Sequence, residues 1–472
     1  MELQQLIDSE LLNVVGLKSD QAECLYHAIQ TGEVKDHEDG IALFYPESRR
    51  GVDQFTELRK KLQPRLVNSV LSADELHQGY WKRFYQVSKQ LIAATILWNR
   101  GKAVAAAQLA EDVSKTAAKY HFTRLAAEAN RRLTYHYSVM VPDERRYRSY
   151  KEKMIRQEEL LYWEQKAYSF YHEIGLFLRT AKTVSNTLME TAQGFSSELD
   201  QADTNIQTLD FMRMRYSVAV MYHLMQNDAS GVIEACREVL SYFRGLPFKA
   251  PVRSARSFQI NSLPAYLKSG RYKEAEITLE ELKQTVHSGS TNWISIFQYQ
   301  AILGFHTGRL ELVHSALSAL RQSRLHHRIE EETQIYQLYL DFLEGKKDYQ
   351  LGRFMNEVPH YTADKKGMNI NVLILQYLIS IQRGDRPAII DRMEALQAYA
   401  YRHLKGDPMC RRSELFFRLL YLLARSAFEV PEVERRSPGL FLQLRETSRQ
   451  IAAIDIEVVP YEELWERVKS LV

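Results

Sequence analysis

The closest gathering of metal-ligating side chains in the chain is His326-His327 with Glu330 and Glu331. Each histidine precedes a glutamate by four residues, a spacing that sets the pair on one helix face and offers two ligands. A zinc site needs a third and a fourth ligand, and none stands nearby. The bland alternative is two surface ion pairs, each worth roughly 0.3–0.5 kcal/mol, and no metal is expected. A second run, Asp143–Arg156 (DERRYRSYKEKMIR), interleaves cations with tyrosines, and Arg146, Tyr150 and Lys153 recur at helical spacing. Such a face can neutralise a phosphate backbone and stack on bases. Glu144, Glu152, Glu158 and Glu159 dilute its charge, so the run reads first as a solvated helix face. The aromatic stretch Tyr162, Trp163, Tyr168, Phe170, Tyr171 and Phe177 reads as helical core rather than a cofactor box. The chain carries no glycine-rich phosphate loop, H-E-x-x-H, nucleophile elbow or kinase signature. A non-enzymatic protein without a cofactor is expected.

The elements that must carry these residues announce themselves by period. Gly270, Gly308, Gly345 and Gly384 fall between apolar helices at intervals of 38, 37 and 39 residues. A fixed period of this size is the mark of a helical-repeat array, each unit being one helix–turn–helix. In Ala265–Leu282 (AYLKSGRYKEAEITLEEL), Gly270 permits a tight turn, Ala275 keeps two helices close, and Leu279 and Leu282 share a face. Related copies carry Leu310, Val313, Leu317 and Leu320; Ile389, Met393 and Leu396; and Ala229, Val232, Cys236 and Val239. The copy after Gly345 departs furthest, with Lys347 and Gln350 at the aromatic and small positions.

This unit resembles a tetratricopeptide repeat, whose second helix has the same order of Gly, Tyr, Ala and large apolar residues. The period here is longer than the usual 34 residues, and the family's early tryptophan and closing proline are missing. The first-helix stripe (Ile260/Leu267, Ile302/Phe305, Ile335/Tyr339/Phe342, Ile374/Leu378/Ile381) lies one residue nearer the glycine, which predicts a shorter turn. The resemblance covers the C-terminal half closely and the N-terminal half loosely. The ending Glu457–Val468 (EVVPYEELWERV) also resembles the close of uncharacterised bacterial helical-repeat proteins. Read without that resemblance, Pro460 starts a capping helix in which Tyr461, Leu464 and Val468 cover the last hairpin.

The expected fold is therefore all-α: a superhelical, tetratricopeptide-like α-solenoid of helix-turn-helix hairpins with a small helical N-terminal cap. Residues 1–75 form the cap, 76–195 the N-terminal repeats, and 209–472 the C-terminal repeats with their closing helix. The polar segment Gly194–Thr208 (GFSSELDQADTNIQT) is the expected linker. An array escapes the size limit of a single core because each unit packs on its neighbours.

Stacked hairpins present first-helix residues on a concave face. In this register that face carries Asn261, Lys268, Tyr299, His306, Tyr336, Gln382 and Arg383. The mixture suits an extended peptide, with Lys268, His306 and Arg383 placed for an acidic or C-terminal segment. The first functional expectation is thus a cytoplasmic protein- or peptide-binding scaffold. The alternative is a peptide-sensing regulator whose N-terminal module binds nucleic acid through Lys60, Lys61 and Arg65. Glu23, Glu33, Asp36, Glu38 and Asp39 oppose that charge. The net charge of +3, from 62 basic and 59 acidic residues, provides no global field for nucleic acid or anionic lipid. The acidic N-terminus lacks the basic region of a signal peptide, and no window is long and apolar enough for a membrane span. Cys24, Cys236 and Cys410 are far apart and are expected to be reduced, buried small hydrophobes.

Overall fold

The structure, a computed structural model, describes residues 20–72, 79–180, 186–202, 204–323, 325–347, 349, 368–405, 410–451 and 457–472. Among them every regular element is a helix and no strand occurs. The chain divides into two compact units, 1–154 and 155–472.

In the first unit, residues 20–72 make their own small core. Asp20 caps the helix Gln21–Thr31 by accepting from the amides of Ala22 and Glu23, and Asp36 caps His37–Phe44 in the same way through Glu38 and Asp39. These side chains satisfy amides that lack an intrahelical partner. Leu25 and Ile29 pack against Phe55, Leu58, Leu62 and Leu66 of the helix Gly51–Ser72. Cys24 falls between the buried positions of its helix and is exposed, against the expectation that all three cysteines are buried. The helices Gly79–Asn99, Ala103–Lys119 and Thr123–Tyr135 then pack as successive neighbours. Ala106, Ala107, Ala110 and Ala117 are buried at the shared face, where small side chains let helices approach closely. Thr123–Tyr135 continues into a π-helical turn, His136–Met140, before the helix Glu144–Thr180 begins.

The second unit opens with a departure from the expected organisation. Gly194 to Asp200, read as linker, belong to the helix Asn186–Asp200. Phe195 stacks on Phe170 at 3.9 Å, and Leu199 is buried with Ala192 and Ile174. Two apolar residues four apart anchor a helix that its polar neighbours disguise. Trp163, Tyr168, Phe170 and Tyr171 pack on this same core, while Tyr162 and Phe177 stay exposed.

From Leu209 onward the helices alternate as hairpins: Leu209–Met225 with Ala229–Gly245, Val252–Lys268 with Tyr272–Thr285, Thr291–Thr307 with Leu310–Arg321, and Met368–Arg383 with Arg386–Tyr399. Gly270, Gly308, Gly345 and Gly384 all have positive φ, between 65° and 75°. At each, the following amide donates to a carbonyl five residues back: Arg271 to Tyr266 at 2.9 Å, Arg309 to Gly304 at 3.0 Å, Lys346 to Asp341 at 3.0 Å and Asp385 to Ser380 at 3.1 Å. That bond closes a helix end only when the residue before the donor is left-handed, which favours glycine. Asn227, at φ 57°, makes the same closure without glycine, Asp228 donating to His223 at 2.9 Å. The apolar positions read from the repeat are buried, including Ala275, Leu279, Leu282, Val313, Leu317, Ile335, Tyr339, Phe342, Ile374 and Leu378. The copy following Gly345 lies mostly outside the described residues, Gln350 included.

The closing helix, Tyr461–Lys469, follows Pro460 and buries Tyr461, Leu464, Trp465 and Val468 in the largest core of the unit. Tyr461 stacks on Phe416 at 4.6 Å and shares a 2.8 Å hydrogen bond with Ser413. Among the described residues no helix is long and apolar enough to cross a membrane.

Candidate functional site

The seven residues expected on one open face are distributed differently. Asn261 is exposed on Val252–Lys268, and Tyr299 is half-buried against the core around Leu263 and Leu279. His306 and Tyr336 are buried, so neither offers surface to a ligand. The reason is packing on every side: residues 300–306 of the helix Thr291–Thr307 are all buried, which leaves no face for solvent. Gln382 and Arg383 are brought together at Tyr349, whose hydroxyl donates to the Gln382 side-chain oxygen and whose ring lies 5.6 Å from the Arg383 guanidinium carbon. Arg383 itself is exposed.

Lys268 and His306 are both engaged with the chain's own backbone carbonyls. The Lys268 ammonium donates to the Asn227 carbonyl, and burial holds its pKa below the usual lysine range against the opposing pull of Asp228. His306 Nε2 lies 3.3 Å from the Glu457 carbonyl. Its Nδ1 is buried without a hydrogen-bond partner among the described residues. Burial, reinforced by Arg449, pushes the His306 pKa down to about 3, so the ring is neutral.

These contacts mark a site built around the C-terminal segment. The short helix Leu440–Glu446 ends at Thr447, which is extended at φ −71°, ψ 118°. Arg412 Nη1 donates to the Thr447 carbonyl at 2.8 Å and also to that of Leu444, so it caps the helix end. Two residues on, the Asn227 side-chain amide donates to the Arg449 carbonyl at 3.1 Å. Two further on, the Ile451 amide donates to the Asn227 side-chain oxygen at 2.8 Å. Residues 447, 449 and 451 thus each turn a backbone group to a side chain of the array. An asparagine amide is suited to this because it has a donor and an acceptor side by side. Asn227 is held for the task by the Lys268 bond at its carbonyl and by Asp228, which caps Ala229–Gly245 through the Gly231 amide at 3.0 Å.

Behind this segment lies a buried ion cluster. Arg412 pairs with Glu457 through Nε–Oε2 at 2.7 Å and Nη2–Oε1 at 2.8 Å, and with Glu462 at 2.8 Å. Arg449 reaches Glu457 and Glu462 at 3.2 Å each. Burial works against the Arg412 charge, but Glu457 and Glu462 more than offset it and raise its pKa above the ordinary arginine value. For Glu462, burial favours the neutral acid while Arg412 and Arg449 favour the anion, and the pKa is lowered. Every charge here has an opposite partner, which is the condition for burying it. Among the described residues the cluster holds paired charges and no convergent set of three metal ligands.

The other candidates resolve into local contacts. His326 and His327 sit in a 3-10 turn, His326–Arg328, and a new helix starts at Glu330, so the expected i,i+4 register on one helix is broken. Among the described residues no group of three metal-ligating side chains comes together. In the basic run, Arg146 donates to the Tyr137 hydroxyl at 2.7 Å, Arg148 pairs with Glu144, and Arg156 donates to the Asn205 carbonyl at 2.8 Å. In the N-terminal module Lys60 pairs with Glu57 at 2.9 Å and Arg65 with Asp20 at 2.6 Å. Carboxylates therefore offset two of the three cations on which a nucleic-acid reading rests.

Asn227, Arg412, Arg449, Glu457 and Glu462 escaped the sequence reading. One signal existed for Asn227. It stands where the ladder calls for glycine, and asparagine is the side chain that best tolerates that conformation while adding a polar group. Nothing local marks Arg412 or the two glutamates, which meet only through the fold. No family model, curated protein or solved structure matches this chain.

Proposed function

We propose that the chain is a non-enzymatic, tetratricopeptide-like scaffold that binds protein or peptide segments in the cytoplasm. The observation that carries this reading is the seating of residues 447–451. Side chains from Asn227 and Arg412, far apart in sequence, hold the backbone groups of residues 447, 449 and 451 in a segment that follows a helix end. Side-chain contacts to backbone recognise an extended peptide with little dependence on its sequence, and flanking pockets or charges then supply selectivity. Arg383, exposed over Tyr349, is the cation of the expected set that remains placed to meet an acidic group. Helical hairpins in succession are a scaffold on which such contacts are spaced regularly.

A display selection with the full chain as bait and random twelve-residue peptides as prey tests the reading. Enrichment of a related set of peptides that bind in solution supports it. A selection that enriches nothing above a control protein, repeated with a variant whose residues 447–451 are loosened, overturns it.

A further inference from the structure

We infer that residues Thr447–Ile451 are a resident pseudo-ligand, and that their seat at Asn227 is a binding site for an extended partner segment with a basic residue followed two positions later by a branched aliphatic one. This inference rests on the scaffold reading above and adds the place, the chemistry and the competitor.

Three observations carry it. The first is the contrast between the segment and the closing helix. The closing helix buries four large side chains in the main core. In the segment, Ser448 is exposed, Thr447, Arg449 and Gln450 are half-buried, and Ile451 alone is buried, at 1% exposure. A stretch with one apolar anchor, a few hydrogen bonds and the Arg449 ion pairs to Glu457 and Glu462 opens at lower cost than a packed helix.

The second is the mode of attachment. Asn227 reads a carbonyl and an amide two residues apart, and Arg412 reads a carbonyl two residues earlier. None of these backbone contacts depends on the identity of the side chain held, so another chain can take the place of the resident one at these three points. The third is charge. Beside the Lys268 and Asp228 charges at Asn227, withdrawal of Arg449 leaves the ion cluster with one cation, Arg412, against two carboxylates, Glu457 and Glu462. An occupant must return a positive charge near the carbonyl that Asn227 holds. The position of Ile451 requires an aliphatic side chain two residues on. The seat thus calls for a basic segment, in contrast to the acidic one expected from Lys268 and His306, both of which face carbonyls of the chain itself.

The test uses the full chain and a fluorescein-labelled synthetic peptide copying residues 445–451, with binding read by anisotropy. Ile451→Ser weakens the resident segment and leaves the seat intact. Asn227→Gly keeps the left-handed turn and removes the amide that grips. The peptide is expected to bind Ile451→Ser at least tenfold more tightly than wild type, and adding Asn227→Gly to that variant is expected to abolish the gain. Hydrogen exchange should quicken at 447–451 in Ile451→Ser while 461–469 stays protected. If Ile451→Ser unfolds the chain by circular dichroism, Ile451→Ala takes its place. Exchange of 447–451 and 461–469 at one common rate overturns the inference, because the segment then opens only with the core. So does a segment that opens without admitting the peptide, or binding that ignores Asn227→Gly. In each of those cases peptides enriched by the display selection keep the scaffold reading alive, so the two fail separately.

Discussion

Arg412 grips Glu457 through a two-point ion pair, at 2.7 and 2.8 Å, in a position where each side chain is less than a tenth exposed. The same guanidinium closes the end of Leu440–Glu446 and reaches Glu462 on the closing helix. One residue therefore ties together three stretches of the C-terminal region that have no covalent reason to stay adjacent.

Replacing Arg412 by Met is expected to destabilise the second unit by about 3–5 kcal/mol, because Glu457 is left buried without its counter-charge. Adding Glu457→Gln should recover part of that loss, since a neutral amide is far cheaper to bury. Urea titration followed by circular dichroism measures both. A double variant as unstable as the sum of the two single variants would show that the pair is not coupled.

His306 predicts a pH dependence. Its folded pKa lies at about 3, below the unfolded value of 6.5, because burial and then Arg449 disfavour the charged ring. The unfolded state therefore binds more protons between these values. The stability from the neutral ring is complete above pH 6.5 and is lost as pH falls toward 3, with a limiting slope of about 1.4 kcal/mol per unit. His306→Gln should show a shallower fall than wild type between pH 6.5 and 4.5. Parallel pH profiles would refute the assignment.

Two glycines should respond to substitution for different physical reasons. At Gly270, φ is +67° and a Cβ would meet nothing within 4 Å. Gly270→Asn should cost only a few tenths of a kcal/mol, since asparagine tolerates that conformation, whereas Gly270→Val should cost about 1–2 kcal/mol or more. At Gly304, a Cβ would fall 2.7 Å from Val313 Cγ2 and 3.0 Å from the Arg309 carbonyl. Gly304→Ala should cost about 1–3 kcal/mol through overpacking. Thermal melts of the three variants separate the two causes.

The three thiols should differ in reactivity. Cys24 is exposed, while Cys236 and Cys410 are buried and burial pushes the Cys236 thiol up to about 12. A thiol-reactive chromophore should modify one cysteine promptly in the native protein and three after denaturation. Prompt modification of two or three would contradict the burial of Cys236 in Ala229–Gly245 or of Cys410.

The sequence by itself determined most of the helices, their hairpin period and most of the inward residues, because these depend on contacts within a few tens of residues. A glycine before the closing amide, an alanine at the helix crossing and leucines at helical spacing act locally, and Gly270, Ala275 and Leu279 take the expected roles. The end of the helix Asn186–Asp200, from Gly194 onward, is hidden in the sequence because Phe195 finds its stacking partner on the aromatic helix and Leu199 packs in the same distant core, outside the window in which periodicity is read. Only the tertiary structure decided what lies against the ends of the first helices. Register alone places His306 and Tyr336 at a surface, but residues from other hairpins and from the C-terminal region cover them. Asn227 meets Arg449 and Ile451 across more than two hundred residues, and Arg412 meets Glu457 across forty-five. Pairings at such separation leave no period in the chain, since each side chain is compatible with its own helix or turn whether or not the other arrives.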